Sequence, residues 1–384
     1  MREVYLDSSA TTRVLEEVAK IVFDVMTKYY GNPSSLHAKG IEAEKLVRKA
    51  RESIAEALGV KHREIYFTSG GTESNNLAIK GAAYGMVRLG RHLITTAIEH
   101  PSVLEAFKQL EKEGFSVTYL GVNKEGLIDV EELRQALTPE TILVSIMYVN
   151  NEVGSVQPIE EAATVVKQNK NTIFHVDAVQ AFGKIPLVPN LNGIDLLSIS
   201  GHKIYAPKGI GALFIRERVR LKPLFNGGGQ EEGLRSGTEN VPGIAGLGAA
   251  VEEAHKNMAA WSARMMELKE RLQDGILKQI PGTVLNGPAS GGAPHILNIS
   301  FLDTRGEILL HSLESHGIYV STGSACSSRK EGKSHVLAAM GKSPEEIEGA
   351  IRFSLSPFIS PEDIDYTVNV LKKEVAEIRK FVRR

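Results

Sequence analysis

The 384-residue sequence has one cysteine and therefore no means of closing an internal disulfide, so a reducing compartment is its natural setting. It also lacks a charge excess, because 45 lysines and arginines stand against 46 aspartates and glutamates, a formal net charge of −1. That balance gives no footing for a nucleic acid or an anionic membrane as the main partner. No apolar run approaches the ~20 residues of a membrane-spanning helix. The opening stretch, "MREVYLDSSATTR", carries charges where a secretion signal needs an apolar run. Internal repeats and low-complexity tails are missing, as is a Gly-Lys-Ser/Thr after any glycine turn, which removes the Walker-type nucleotide site. The expectation is a soluble, intracellular, globular protein, long enough for two domains.

What is present is a regular alternation. Between residues 60 and 215, short runs rich in β-branched residues recur: "IYFT" (65–68), "HLITT" (92–96), "FSVTYLG" (115–121), "TILVSIMYV" (141–149), "TIFHVDA" (172–178), "DLLSIS" (195–200) and "GALFIR" (211–216). Helical patterns such as "SVLEAFKQLEKEG" (102–114) and "IEEAATVVKQNK" (159–170) lie between them. This alternation predicts an α/β fold with a mostly parallel sheet. A glycine-rich passage (225–248) breaks the pattern, and a long helix over about 243–279 leads to a second region. That region holds "HILNISFL" (295–302), "EILLHSLESHG" (307–317), "AIRFSLS" (350–356) and a closing amphipathic helix from Pro361.

Polar residues stand just past the ends of these apolar runs, where open α/β sheets bind ligands. "SGGTES" (69–74) opens a helix; Gly71 lets backbone N–H groups approach an anion, and Thr72 adds a hydroxyl. Read alone, it is equally an ordinary glycine turn with a cap. In "SISGHK" (198–203), Lys203 offers an amine that desolvation would tune for Schiff-base chemistry, while Ser200 and His202 can donate to a phosphate. A lysine at a sheet edge is also commonly a snorkelling surface residue. A phosphate cradle and an aldehyde-trapping lysine together suggest pyridoxal 5′-phosphate. Asp177, at the end of "TIFHVD", is placed to hold a pyridine nitrogen protonated, with Gln180 near the ring oxygen and His100 able to stack and assist proton transfer. Arg352 puts a charge inside an apolar strand, as needed for a substrate carboxylate or for a structural ion pair.

In order along the chain, "YLDSSATT" (5–12), "GNPSSLH" (31–37), "TSGGTESNN" (68–76), "IEHPSV" (98–103), "VNNEVGSVQP" (149–158), "HVDAVQAFGK" (175–184), "SGHKIYAPKGIG" (200–211), "LRSGTEN" (234–240), "GSACSS" (323–328) and "IRFSL" (351–355) resemble the fold-type I pyridoxal-phosphate enzymes, specifically the cysteine desulfurases of the NifS/IscS type. The resemblance implies a large domain over 15–260, with a mostly parallel sheet sandwiched by helices. It implies a smaller α+β domain from 1–14 and 261–384 that carries the cysteine loop and Arg352. Lys203 becomes the cofactor lysine, Asp177 the pyridinium partner, Gln180 the ring-oxygen contact and His100 the stacking, proton-handling histidine. Gly71, Thr72, Ser200 and His202 become the phosphate site, with Thr238 reaching the phosphate of a neighbouring subunit in a homodimer. Asn151 falls beside the ring, and Asn32 and Arg352 clamp the substrate carboxylate. No metal is implied.

The lone thiol then has a purpose. Cys326 falls on the family's sulfur-accepting cysteine, which takes sulfur from L-cysteine as a persulfide, releases L-alanine and passes the sulfur to an acceptor in iron–sulfur cluster assembly or tRNA thiolation. Two departures stand out: "SSRKEGKSHVL" (327–337) is longer and more basic than the usual loop, and Glu232 replaces a common arginine. The alternatives are a selenocysteine lyase, an aminotransferase on the same fold, which needs no loop thiol, and a non-catalytic sulfur carrier.

Overall fold

A computed structural model describes residues 2–190, 192–323 and 334–382. Val4–Tyr5 forms β1, and Glu16–Lys28 and Ala38–Leu58 form α1 and α2. The central sheet follows: β2 (Ile65–Thr68), β3 (His92–Thr96), β4 (Ser116–Leu120), β5 (Thr141–Met147), β6 (Ile173–Asp177), β7 (Leu196–Ser200) and β8 (Gly211–Ile215). Its helices are α3 (Gly71–Met86), α4 (Pro101–Lys112), α5 (Val130–Ala136) and α6 (Ile159–Val166). The long helix α7 (Val241–Gln279) leads to β9 (Thr283–Asn286), β10 (Ile296–Phe301), α8 (Gly306–Ser315) and β11 (Ile318–Tyr319). The chain closes with α9 (His335–Ala339), α10 (Pro344–Glu348), β12 (Ala350–Ser354) and α11 (Pro361–Val382).

The seven strands run in the order β2-β8-β7-β6-β5-β3-β4. The β4–β3, β3–β5, β5–β6 and β6–β7 pairs are parallel, whereas β8 is antiparallel to both β7 and β2. β2 therefore points the same way as β3, β5, β6 and β7, and their five carboxyl ends open on one edge. The period-2 alternation of side chains builds a core on each face. Leu93, Leu143, Leu196 and Leu213 pack under α3 and α4, while their neighbours Ile94, Val144, Leu197 and Phe214 pack on the opposite side with α1, α2 and α6.

A second, antiparallel sheet, β12-β10-β9, packs with α8, α11 and the later turns of α7 through Leu272, Ile299, Leu313, Phe353 and Leu371. The first residues of the chain belong to this layer: β1 pairs with β11, and Asp7 bridges Ser354. The carboxyl edge of the large sheet thus faces residues from both ends of the chain. Among the described residues no helix is long and apolar enough to cross a membrane.

Candidate active site

A cavity of about 270 Å3 lies at that edge. One corner of it is set by the β2–α3 turn. Gly70, the N-cap of α3, has φ +143°, a region that favours glycine. A β-carbon on Gly71 would lie 2.8 Å from a Val179 methyl, so only glycine fits there. Thr72 follows in the first turn of α3; Ser200 packs against the same turn, its Oγ 3.9 Å from a β-carbon placed on Gly71, and His202 also lines the cavity. Unpaired N–H groups at a helix start, two hydroxyls and an imidazole form an anion-binding donor set. Burial, then the charge of Lys203, pushes His202 down to about 4, so it serves as a neutral hydrogen-bonding group.

Asp177 ends β6 as a buried carboxylate. Its Oδ1 accepts from the Val179 N–H (2.9 Å) and its Oδ2 from Asn75 Nδ2 (2.7 Å). Lys203 closes a single tight turn after β7, and its Nζ donates to the carbonyls of Ser9 and Ala10, the latter at 2.7 Å. The amide of Gln180 is held by protein on both sides: its Nε2 donates to the Ser9 carbonyl (3.0 Å), and its Oε1 meets His295 Nε2 (3.3 Å). Behind the turn, Lys184 Nζ donates to the Lys203 carbonyl (2.9 Å), and burial, then Lys203, pushes this second amine down to about 7.

Arg352, buried on β12, closes the other side. One terminal nitrogen donates to Asp7 (2.7 Å), the other to the Asn151 carbonyl (3.0 Å), and its buried Nε has no hydrogen-bond partner. The acidic partner missing from its own segment is thus Asp7, brought over by the first strand. Glu152, next to Asn151, is a buried carboxylate whose Oε2 accepts from the Ser334 hydroxyl (2.5 Å), and burial raises its pKa. Gly323 also lines the cavity, and a β-carbon there would lie 3.0 Å from the same oxygen.

His100 is the N-cap of α4, ahead of Pro101. The preceding residue, Glu99, is fully buried: Oε1 accepts from the Met147 N–H (2.7 Å) and the Thr96 hydroxyl (2.8 Å), and Oε2 has no partner. Burial pushes this carboxyl up to about 8. A carboxyl whose folded pKa exceeds its unfolded value favours the fold at low pH, and that contribution is lost as pH rises from the ordinary carboxylate range through about 8. Glu99→Gln is therefore expected to flatten the fall in melting temperature between about pH 6 and pH 9. Parallel curves for the two proteins would place the ionised carboxylate inside the fold and defeat the expectation.

The cavity gathers ten of the thirteen residues expected from the sequence: Lys203, His100, Gly71, Thr72, Asn151, Asp177, Gln180, Ser200, His202 and Arg352. Asn32 and Thr238 are exposed and do not line it. Cys326 lies outside the described residues. Sequence reading passed over Asn75, Ser102, Glu152 and Lys184. Asn75 carried a signal, since its position four residues after Gly71 puts it on the same face of α3. The others are polar residues whose importance depends on long-range contacts. Among the described residues there is no group of three or more His, Cys, Asp or Glu that could hold a metal ion.

Comparison with known proteins gives a consistent picture. The family model "Aminotransferase class-V" matches residues 4–367. A relative named cysteine desulfurase IscS, from Dictyoglomus turgidum, is 46% identical over 378 residues, covering 98% of this chain and 96% of its own length. A solved structure described as a NifS-like protein superposes with a TM-score of 0.93 at 41% identity, covering 98% of this chain and 100% of that one. Another, described as SspA in complex with cysteine, has a TM-score of 0.81 at 37% identity and covers 93% of this chain and 100% of that one.

Proposed function

The chain belongs to the aminotransferase class-V family, among its pyridoxal-phosphate-dependent cysteine desulfurases, and on that premise we propose that it moves sulfur from L-cysteine onto Cys326 and releases L-alanine. One observation carries the reading: an anion cradle, a buried carboxylate and a lysine amine face a single cavity together with a buried arginine whose Nε is unpartnered. The donor set fits the cofactor. The Gly70–Thr72 turn, Ser200 and His202 would hold its phosphate, Asp177 its ring nitrogen and Lys203 its aldehyde carbon. Bound there, the cofactor supplies an electron sink for the pair left when the α-proton departs.

The remaining steps fall to the chain's own residues. Arg352 takes the substrate carboxylate and fixes the orientation of Cα. Lys203 moves the proton at Cα. The Cys326 thiolate attacks the substrate sulfur, so that an S–S bond forms as the Cβ–S bond breaks. Cβ gains a proton, and the products are L-alanine and the Cys326 persulfide. The persulfide sulfur then passes to an acceptor thiol, on an iron–sulfur scaffold or in a tRNA-thiolating pathway. We assign this chemistry to the cytoplasm, where a lone thiol stays reduced.

We also divide the chain into a large domain, 15–260, around the seven-stranded sheet, and a small one, 1–14 with 261–384, around β9, β10 and β12. The working unit is a homodimer. α1 and the turn after it expose Phe23, Met26, Tyr30 and Leu36, a cluster suited to burial against a second copy. Such a partner would bring Thr238, which is outside the cavity of its own chain, to the neighbouring phosphate site.

Native and denaturing mass measurements after brief anaerobic exposure to L-cysteine test the proposal. A dimer whose subunits gain reductant-removable sulfur is expected, with none gained by Cys326→Ser. Alanine formation with no sulfur on the wild-type protein would sink the covalent role of Cys326. Full activity from a monomer would sink the shared site.

A further inference from the structure

His100 is tied to Asp177 by a chain of hydrogen bonds whose direction is fixed at each link. Asn75 Nδ2 has two protons and gives one to Asp177 Oδ2 (2.7 Å) and the other to Ser102 Oγ (2.9 Å). Ser102 Oγ, which accepts from Asn75, also lies 2.8 Å from His100 Nδ1, and the direction of that contact is set by the ring nitrogen's other partner. The Ser102 backbone N–H donates to the same Nδ1 (3.1 Å), and an N–H group has no other option. Nδ1 therefore bears no proton, and the neutral ring carries its proton on Nε2.

We infer that Ser102, oriented by Asn75, is a positioning residue that locks His100 as a neutral Nε2–H hydrogen-bond donor in the cavity. This rests on the active-site reading above and sharpens it. A ring that already bears its proton on Nε2 cannot accept one there, and accepting one on Nδ1 would turn two donors against it. Proton movement at Cα is left to Lys203, while His100 donates toward negative charge that develops beside it. The surroundings agree. Burial lowers the His100 pKa, Asp177 opposes that, and Lys203 and His335 add to it. His202, which lines the same cavity, is itself held neutral by burial, and the buried carboxyl of Glu99, on the same loop, is mostly protonated at neutral pH.

The test is nitrogen NMR of the cofactor-loaded protein with 15N-labelled histidine rings, the His100 signals being assigned by their loss in His100→Gln. The wild-type ring is expected to show an unprotonated Nδ1 and a protonated Nε2 throughout pH 6–8. Ser102→Ala should raise the His100 titration midpoint by about one pH unit, tenfold in proton affinity, and Ser102→Thr should restore it. A proton on Nδ1 in the wild type, or an unchanged midpoint in Ser102→Ala, overturns the inference. The same spectra from cofactor-free protein, with the visible absorbance of the loaded sample as a separate readout, distinguish the two failures. If the visible band never forms, the active-site reading fails, whereas the tautomer is still read from the ring.

Discussion

Replacing Lys203 with alanine is expected to slow alanine formation from L-cysteine by roughly three orders of magnitude, within the range lost when a positioned acid–base group is removed. The expectation rests on how the amine is held. Its Nζ donates to the carbonyls of Ser9 and Ala10, from the segment after β1, while its own carbonyl accepts from Lys184. The lysine is thus fixed at both ends, between the large sheet and the first residues of the chain. Lys203→Arg keeps a cation there but offers no amine able to exchange a proton near neutral pH, and should be nearly as slow. Lys184 cannot substitute, because its Nζ is committed to the Lys203 carbonyl and the group is fully buried. Single-turnover measurement of alanine, with and without a small added amine, checks this. Partial recovery by the amine is the signature of a missing proton carrier, whereas activity within tenfold of wild type in Lys203→Ala would remove Lys203 from the chemistry.

The large sheet was legible in the sequence for a physical reason. Its inner strands are buried on both faces, so they read as short continuous apolar runs ended by polar residues, and the ligand edge coincides with those ends. "IYFT", "HLITT" and the start of "GALFIR" match β2, β3 and β8 at their first residues. The reversed direction of β8 was not legible, because a strand's composition does not depend on which way its neighbour runs. Within the site, residues that touch the cavity from strand ends were readable one at a time. Those that act through others were not: Ser102 reads as an unremarkable second residue of a helix, and its role appears only when Asn75 and His100 fold against it. In the sequence Asp7 is one polar residue within "YLDSSATT"; that it pairs with a residue 345 positions away is a property of the small sheet alone.

That pairing sets the second large effect. Arg352→Ala is expected to lower kcat/KM for L-cysteine by about two to three orders of magnitude, the value of two charge-assisted hydrogen bonds to the substrate carboxylate. It should also destabilise the fold by roughly 3 kcal/mol, because Asp7 would keep a partly buried charge without a partner. The two losses have different origins and can be separated. In Asp7→Asn/Arg352→Ala the orphaned charge is gone, so urea melts should recover most of the stability while KM for L-cysteine stays high. Asp7→Asn alone leaves the guanidinium intact but releases the terminal nitrogen that Asp7 holds, so its effect should fall mainly on substrate orientation, as a lower kcat at modestly changed KM. If the double variant regained both stability and substrate affinity, the arginine would be a structural ion pair and nothing more. If stability alone returned, Arg352 acts on the substrate as well as on Asp7, and the guanidinium that Asp7 holds is the group that meets the carboxylate.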